Sequence, residues 1–178
     1  MENTACAKAL LEEYQMRLFG WGKKHTAAEI VGHNLTAYVM DADDCWEDVC
    51  QLRSYKPTGP VATCEMAFAR AALARVAMLK HRNSAVAERM IKASTSCIIE
   101  TFTDEDNDDT LAFFGGPMNE VGPSIVSLYE ANVFPLSQWA SQLGSRLSVP
   151  GIWSIEIAPM AERQQNQVIG MLDKVKVV

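Results

Sequence analysis

The sequence has little of what catalysis or metal binding usually needs. It holds three histidines, no C-x-x-C pair, no H-E-x-x-H, and neither a G-x-G-x-x-G nor a P-loop pattern. Those absences exclude a zinc ribbon, a zincin helix and the familiar phosphate-cradling loops. Gly122-Pro123-Ser124-Ile125-Val126 lacks the second glycine of a nucleophile elbow, and few histidines leave few general bases. Cys45, Cys50 and Cys97 with His33 or His81 would supply the atoms of a Cys–His pair, yet no local signature joins them. The five cysteines are odd in number and scattered, so no disulfide framework is written here, and buried reduced thiols are expected. A long uncharged apolar run is missing too. Val61 to Leu79 comes nearest, but Glu65, Arg70 and Arg75 interrupt it, so no membrane span is expected. The opening residues lack the basic and apolar regions of a secretory signal, which makes a cytoplasmic location the expectation. No motif carries a resemblance to a known family.

What is present describes one ordinary globular domain over 1–178. Of its 178 residues 48% are apolar and 21% charged, enough to build a single core without disulfides or metal. The net charge is −6, which argues against coating onto nucleic acid by bulk charge. That charge is unevenly placed. Residues 1–100 hold 12 acids and 12 bases, whereas 101–178 hold 10 acids and 4 bases.

Apolar periodicity predicts a helical body over about 1–102. A helix over 4–19 carries the stripe Ala7, Leu11, Tyr14 and Leu18 and stops at Gly20. Thr26-Ala27-Ala28-Glu29 reads as a capping box opening a long helix over 26–53, whose seam is Val31, Leu35, Tyr38, Ala42, Cys45, Val49 and Leu52. Two prolines and a glycine in Tyr55–Pro60 break the chain, and Pro60 suits the first turn of a helix over 60–82. Its many alanines make it apolar on nearly every side with little bulk, which predicts a central helix closely approached by its neighbours. Asn83-Ser84 offers a cap for a helix over 84–102 with the stripe Val86, Met90, Ala93 and Cys97.

After an acidic loop over 103–110 the pattern becomes more irregular through 111–178. Pro123 and Pro135 each suit a first turn, predicting helices over 124–133 and 136–147, with Trp139 and Leu143 facing inward. Gly151–Ile157 alternates with period two and reads as a strand, Pro159–Met171 as a helix, and Lys174–Val178 as a second strand. Together these predict a small parallel βαβ unit. The fold class expected is mainly α: a multi-helix, bundle-like core with a smaller C-terminal α/β portion.

The acidic loop is the clearest candidate for partner binding, through Asp104, Glu105, Asp106, Asp108 and Asp109. Asp104, Asp106 and Asp108 occupy the first three ligand positions of a calcium loop, but Asp109 replaces the glycine at the sixth and Gly115 the glutamate at the twelfth. His25, Glu29 and His33 share one helix face, though eight residues between the histidines favour ordinary surface pairing over a metal site. No metal and no cofactor are therefore expected. Trp21, Lys23 and Lys24, ahead of a helix start, are the candidates for a phosphate or nucleic acid, together with Arg70 and Arg75. Those two arginines lie five apart in an apolar helix, so their charges must be paired or carried out to water by their stems. The acids of 41–48 are the expected partners.

The reading that follows is a non-catalytic cytosolic interaction or assembly protein, acting through helix packing and acidic segments on a protein partner or on itself. One alternative is a small enzyme or ligand-binding helical protein with a buried pocket, marked by ionisable groups converging in a cleft. Another is a nucleic-acid-binding protein using a local basic face, which turns on whether Arg70 and Arg75 point outward.

Overall fold

A computed structural model describes residues 26–41, 59–103, 107–148 and 152–178, the last from side chains onward at 155. The expected helix over 4–19, the later part of the 26–53 helix beyond Asp41, and Trp21, Lys23, Lys24, Asp104, Glu105 and Asp106 lie outside the described residues. The chain is mainly helical, in the order α1 (Ala28–Asp41), α2 (Pro60–Leu79), α3 (Ser84–Phe102), α4 (Asp108–Phe114), α5 (Met118–Ala131), α6 (Leu136–Arg146) and α7 (Ile152–Lys174).

Helix α2 is the axis of the fold, and it touches each of the other six. Its composition explains that position. Ala67, Ala69, Ala71, Ala72, Ala74 and Ala77 are all buried, so neighbours on every side approach its backbone without large side chains between them. Two hydrophobic clusters share it. Phe68 and Leu73 pack with Ile98, Met118, Tyr129, Trp139, Leu143 and Ile157, while Ala74 and Met78 pack with Val31, Leu35, Met90, Val168 and Met171. Gly59 and Pro60 open the helix as the break predicts.

Helices α1 and α3 make the most extensive pairing. A Cβ added to Gly32 would sit 2.1 Å from the Met90 carbonyl oxygen, so only glycine permits the crossing. One turn on, the Thr36 hydroxyl donates to the Gly32 carbonyl at 2.8 Å and meets the Ser94 hydroxyl at 2.7 Å. Asn83 caps α3 as its sequence suggests, its Oδ1 accepting from the amides of Ala85 at 3.1 Å and Val86 at 3.3 Å. The start of α1 is different from the expected capping box. The Ala28 amide donates to the Val178 carbonyl at 3.0 Å, and the Glu29 carboxylate turns to Arg89 on α3.

Three boundaries are corrected. Asp108 and Asp109 belong to the first turn of α4, which Asn107 caps through its Oδ1, rather than to an irregular acidic loop. Gly115 closes α4 at φ +80, a conformation that leaves its amide free to bond the Leu111 carbonyl. Pro123 lies inside α5 and Pro159 inside α7, where each was expected to begin a helix. An interior proline costs a helix about 3 kcal/mol, so packing along each helix must exceed that cost.

The C-terminal α/β portion with its βαβ unit is not what forms. Residues 152–157 are the first turns of α7, and the deciding pattern lies downstream. Ile157, Met160, Ala161, Gln164, Gln165, Val168 and Met171 are buried at steps of three, four and one, the period of a helix. The short alternation at 152–157 is overridden because Ile155, on the supposed inner face, stands 73% exposed. At the far end Val177 makes a single parallel bridge to Thr26, with Thr26 N donating to the Lys176 carbonyl and Val178 N to the Thr26 carbonyl. Its partner is the segment before α1, not residues 152–157.

Candidate functional site

Three charged residues stand at a constant spacing on the alanine-rich axis: Glu65, Arg70 and Arg75. A helix turns about 100° per residue, so each step of five rotates the next side chain by about 140°. The three therefore leave α2 in three directions, and each meets a different set of neighbours.

Glu65 is fully buried. Its carboxylate accepts hydrogen bonds from the Tyr129 hydroxyl on α5 and from Arg146 at the last turn of α6, the latter through both Nε and Nη2. This bidentate geometry suits the planar guanidinium. The carboxylate holds the Arg146 guanidinium above its ordinary range. Burial, reinforced by the Glu65 charge, pushes the Tyr129 phenol far up, so the hydroxyl remains a donor at every physiological pH.

Arg70 is 4% exposed and donates through Nη2 to the Met40 carbonyl at 2.9 Å, close to the end of α1. Arg75 is 9% exposed and is held from two sides. Its Nε donates to Glu130 of α5 at 2.5 Å, and its Nη1 donates to the Thr95 hydroxyl at 2.8 Å and the Ile91 carbonyl at 3.3 Å, both on α3.

Both arginines thus point inward. The alternative in which Arg70 and Arg75 offer their guanidinium groups to nucleic acid does not match this placement, because a phosphate in solvent cannot reach them. The expected acids of 41–48 are replaced in the case of Arg75 by Glu130. For Arg70, Met40 lies just ahead of that acidic run, whose residues after Asp41 are outside the described set.

The surface holds different chemistry. Asp108 and Asp109 are exposed on α4, with Phe113 of the same helix 48% exposed. At the end of α2, Leu79 is 55% exposed, and the Nζ of Lys80, the next residue, sits 4.0 Å above the ring of Phe134, itself 53% exposed. Arg82, two residues after Lys80, is exposed as well. Glu29 and His33 are divided between different partners on α3: Glu29 takes Arg89 at 2.6 and 2.7 Å, and His33 lies 3.0 Å from Glu100. Among the described residues no three His, Cys, Asp or Glu are gathered as a metal site would require, and no helix is long and apolar enough to cross a membrane.

Comparison of the chain with family models, curated proteins and solved structures finds no match.

That geometry includes residues which reasoning from sequence passed over. Tyr129, Glu130, Arg146 and Thr95 each supply a polar partner to the axis. A signal for one of them was available. Glu65 interrupts an apolar helix and so requires a counter-charge, and Arg146 is one of only four bases after residue 100. Nothing in the sequence pairs Glu130 with Arg75 in particular. Chemically, the Glu65 carboxylate has both oxygens engaged and the Tyr129 hydroxyl is committed as a donor. The cluster is suited to joining α2, α5 and α6 and offers no activated nucleophile.

Proposed function

We propose that the protein is a non-catalytic interaction or assembly protein, built to hold a rigid helical body and to associate through its surface. The observation that carries this reading is the division of labour among its side chains. The charges of the axis are engaged by internal partners, whereas large apolar side chains, Leu79, Phe134 and Phe113 among them, stand in water next to charged ones. Exposed aromatic and aliphatic groups flanked by charge are the composition of a docking surface. Buried, reduced thiols at Cys64 and Cys97 fit a cytoplasmic place of action.

Sedimentation velocity over a wide concentration range tests the reading directly. Concentration-dependent self-association, or a stable complex recovered with a defined partner, is the expected result. A chain that stays monomeric at the highest concentration and retains nothing from native lysate overturns it.

A further inference from the structure

Two exposed surfaces of this chain are opposite in charge, and each carries an exposed aromatic ring. The first is the corner at the end of α2, where Lys80 lies over the Phe134 ring and Leu79 and Arg82, both exposed, flank Lys80 along the chain. Among the described residues neither Lys80 nor Arg82 forms an ion pair, and the only aromatic partner of Lys80 is the exposed Phe134 ring. The second is the outer face of α4. Asp109 and Phe113 are one turn apart on that face, Asp108 is adjacent, and the Phe113 ring is held edge-on by Phe114 with centroids 4.9 Å apart.

These surfaces do not meet within one molecule. Helix α4 is anchored where Phe114 stacks against Phe68, with ring centroids 5.8 Å apart. Lys80 lies twelve residues further along the same axis, a separation of roughly 18 Å at 1.5 Å per residue. We propose that Leu79, Lys80, Arg82 and Phe134 form a docking corner for the α4 face, Asp108, Asp109 and Phe113, of a second copy of this chain.

The proposal rests on the self-association reading above and identifies the surfaces that would serve it. Each contact uses different patches on the two copies, so it is heterologous. A copy docked by its corner still presents a free α4, and association continues as a ring or an open chain unless the rotation closes early. Basic residues around an aromatic meeting acidic residues around an aromatic give both attraction and register, and the attraction weakens as salt screens it.

Charge exchange on the full-length chain separates the outcomes. Two variants are made, Lys80→Glu with Arg82→Glu, and Asp108→Lys with Asp109→Lys, along with Phe113→Ser, which leaves the first turn of α4 untouched should the lysine variant unfold it. Unchanged circular dichroism qualifies each variant, and light scattering after gel filtration reads the mass. The wild type is expected to assemble beyond a dimer at low salt and to dissociate at high salt. Each charge variant alone, and Phe113→Ser, is expected to be monomeric. An equimolar mixture of the two charge variants is expected to assemble beyond a dimer again, since the basic corner of one variant meets the acidic α4 face of the other and the two charge-reversed patches also match in sign. If the wild type assembles and the variants assemble equally well, or if the mixture stays monomeric, this docking mode is overturned while self-association stands. A wild type that is monomeric throughout overturns both, and one that is monomeric yet binds heparin through Lys80 and Arg82 assigns the corner to a polyanion instead.

Discussion

Arg146 grips the buried carboxylate of Glu65 with two N–H groups from a position 81 residues further along the chain. Removing the guanidinium leaves a carboxylate inside the core with only the Tyr129 hydroxyl to satisfy it, and uncompensated buried charge typically costs about 3–5 kcal/mol. The Arg146 side chain is 29% exposed, so water would relieve part of that cost, and Arg146→Leu is expected near about 3 kcal/mol. Tyr129→Phe deletes one hydrogen bond to a charged group, about 1.5–3 kcal/mol. Replacing both ions together, Glu65→Leu with Arg146→Leu, is expected to recover much of the loss, because neither charge is then stranded. Urea unfolding of the three variants measures this, and a double variant no better than Arg146→Leu would refute the account.

The same substitution at two glycines is expected to act with opposite sign. At Gly32 an added methyl meets the Met90 backbone at 2.1 Å, and α1 and α3 must move apart. Overpacking of this kind costs about 1–3 kcal/mol, more than the gain of up to about 1 kcal/mol from replacing glycine in a helix. Gly170, within α7, has open space around its Cβ position and keeps the full propensity gain. Gly32→Ala is therefore expected to lower the midpoint of thermal unfolding and Gly170→Ala to raise it.

Pro159 is exposed and interior to α7, eight residues into a helix of 23. Its ring removes one backbone hydrogen bond and crowds the carbonyl four residues before it. Nothing buried depends on that ring, so Pro159→Ala is expected to stabilise the protein by up to about 3 kcal/mol. The comparison of chemical unfolding midpoints decides it, and destabilisation would mean that the proline itself is needed to seat α7 on α6.

How far the fold was legible in the sequence depends on whether the deciding contact is local. Helix α3 and its Asn83 cap, the alanine-rich axis, and the inward Trp139 and Leu143 all follow from signals within a few residues, and the structure agrees with each. The strand expected at 151–157 fails because seven residues of alternation cannot be told from the start of a helix whose buried stripe begins at Ile157 and runs to Met171. Pro123 and Pro159 mislead for a related reason. A proline marks a boundary only when tertiary packing does not outweigh its cost, and that packing is invisible locally. The internal partners of Arg75 and Glu65 were the least legible part, since their necessity follows from burial while their identity is settled by which helices lie alongside.

The Glu29–Arg89 pair offers a test of how α1 and α3 are held together at the surface. Two hydrogen bonds from the Arg89 guanidinium hold the Glu29 carboxyl below its ordinary range, and the carboxylate in turn raises the arginine. A carboxyl whose value is depressed by folding contributes stability that is present above its unfolded value and is lost as pH falls through its folded one. The contribution of the pair is therefore fully present and independent of pH near neutrality, and it is lost only in the acid range. Carbon NMR of the Glu29 side chain is expected to show a midpoint below that of an ordinary glutamate. Arg89→Gln should return it to the ordinary range, and high salt should move it part of the way because both groups are open to solvent. An unshifted midpoint in the wild type would mean that the bidentate contact does not persist in solution, leaving the α1–α3 crossing to Gly32, Thr36, Ser94, the His33–Glu100 contact and the apolar packing around Met90.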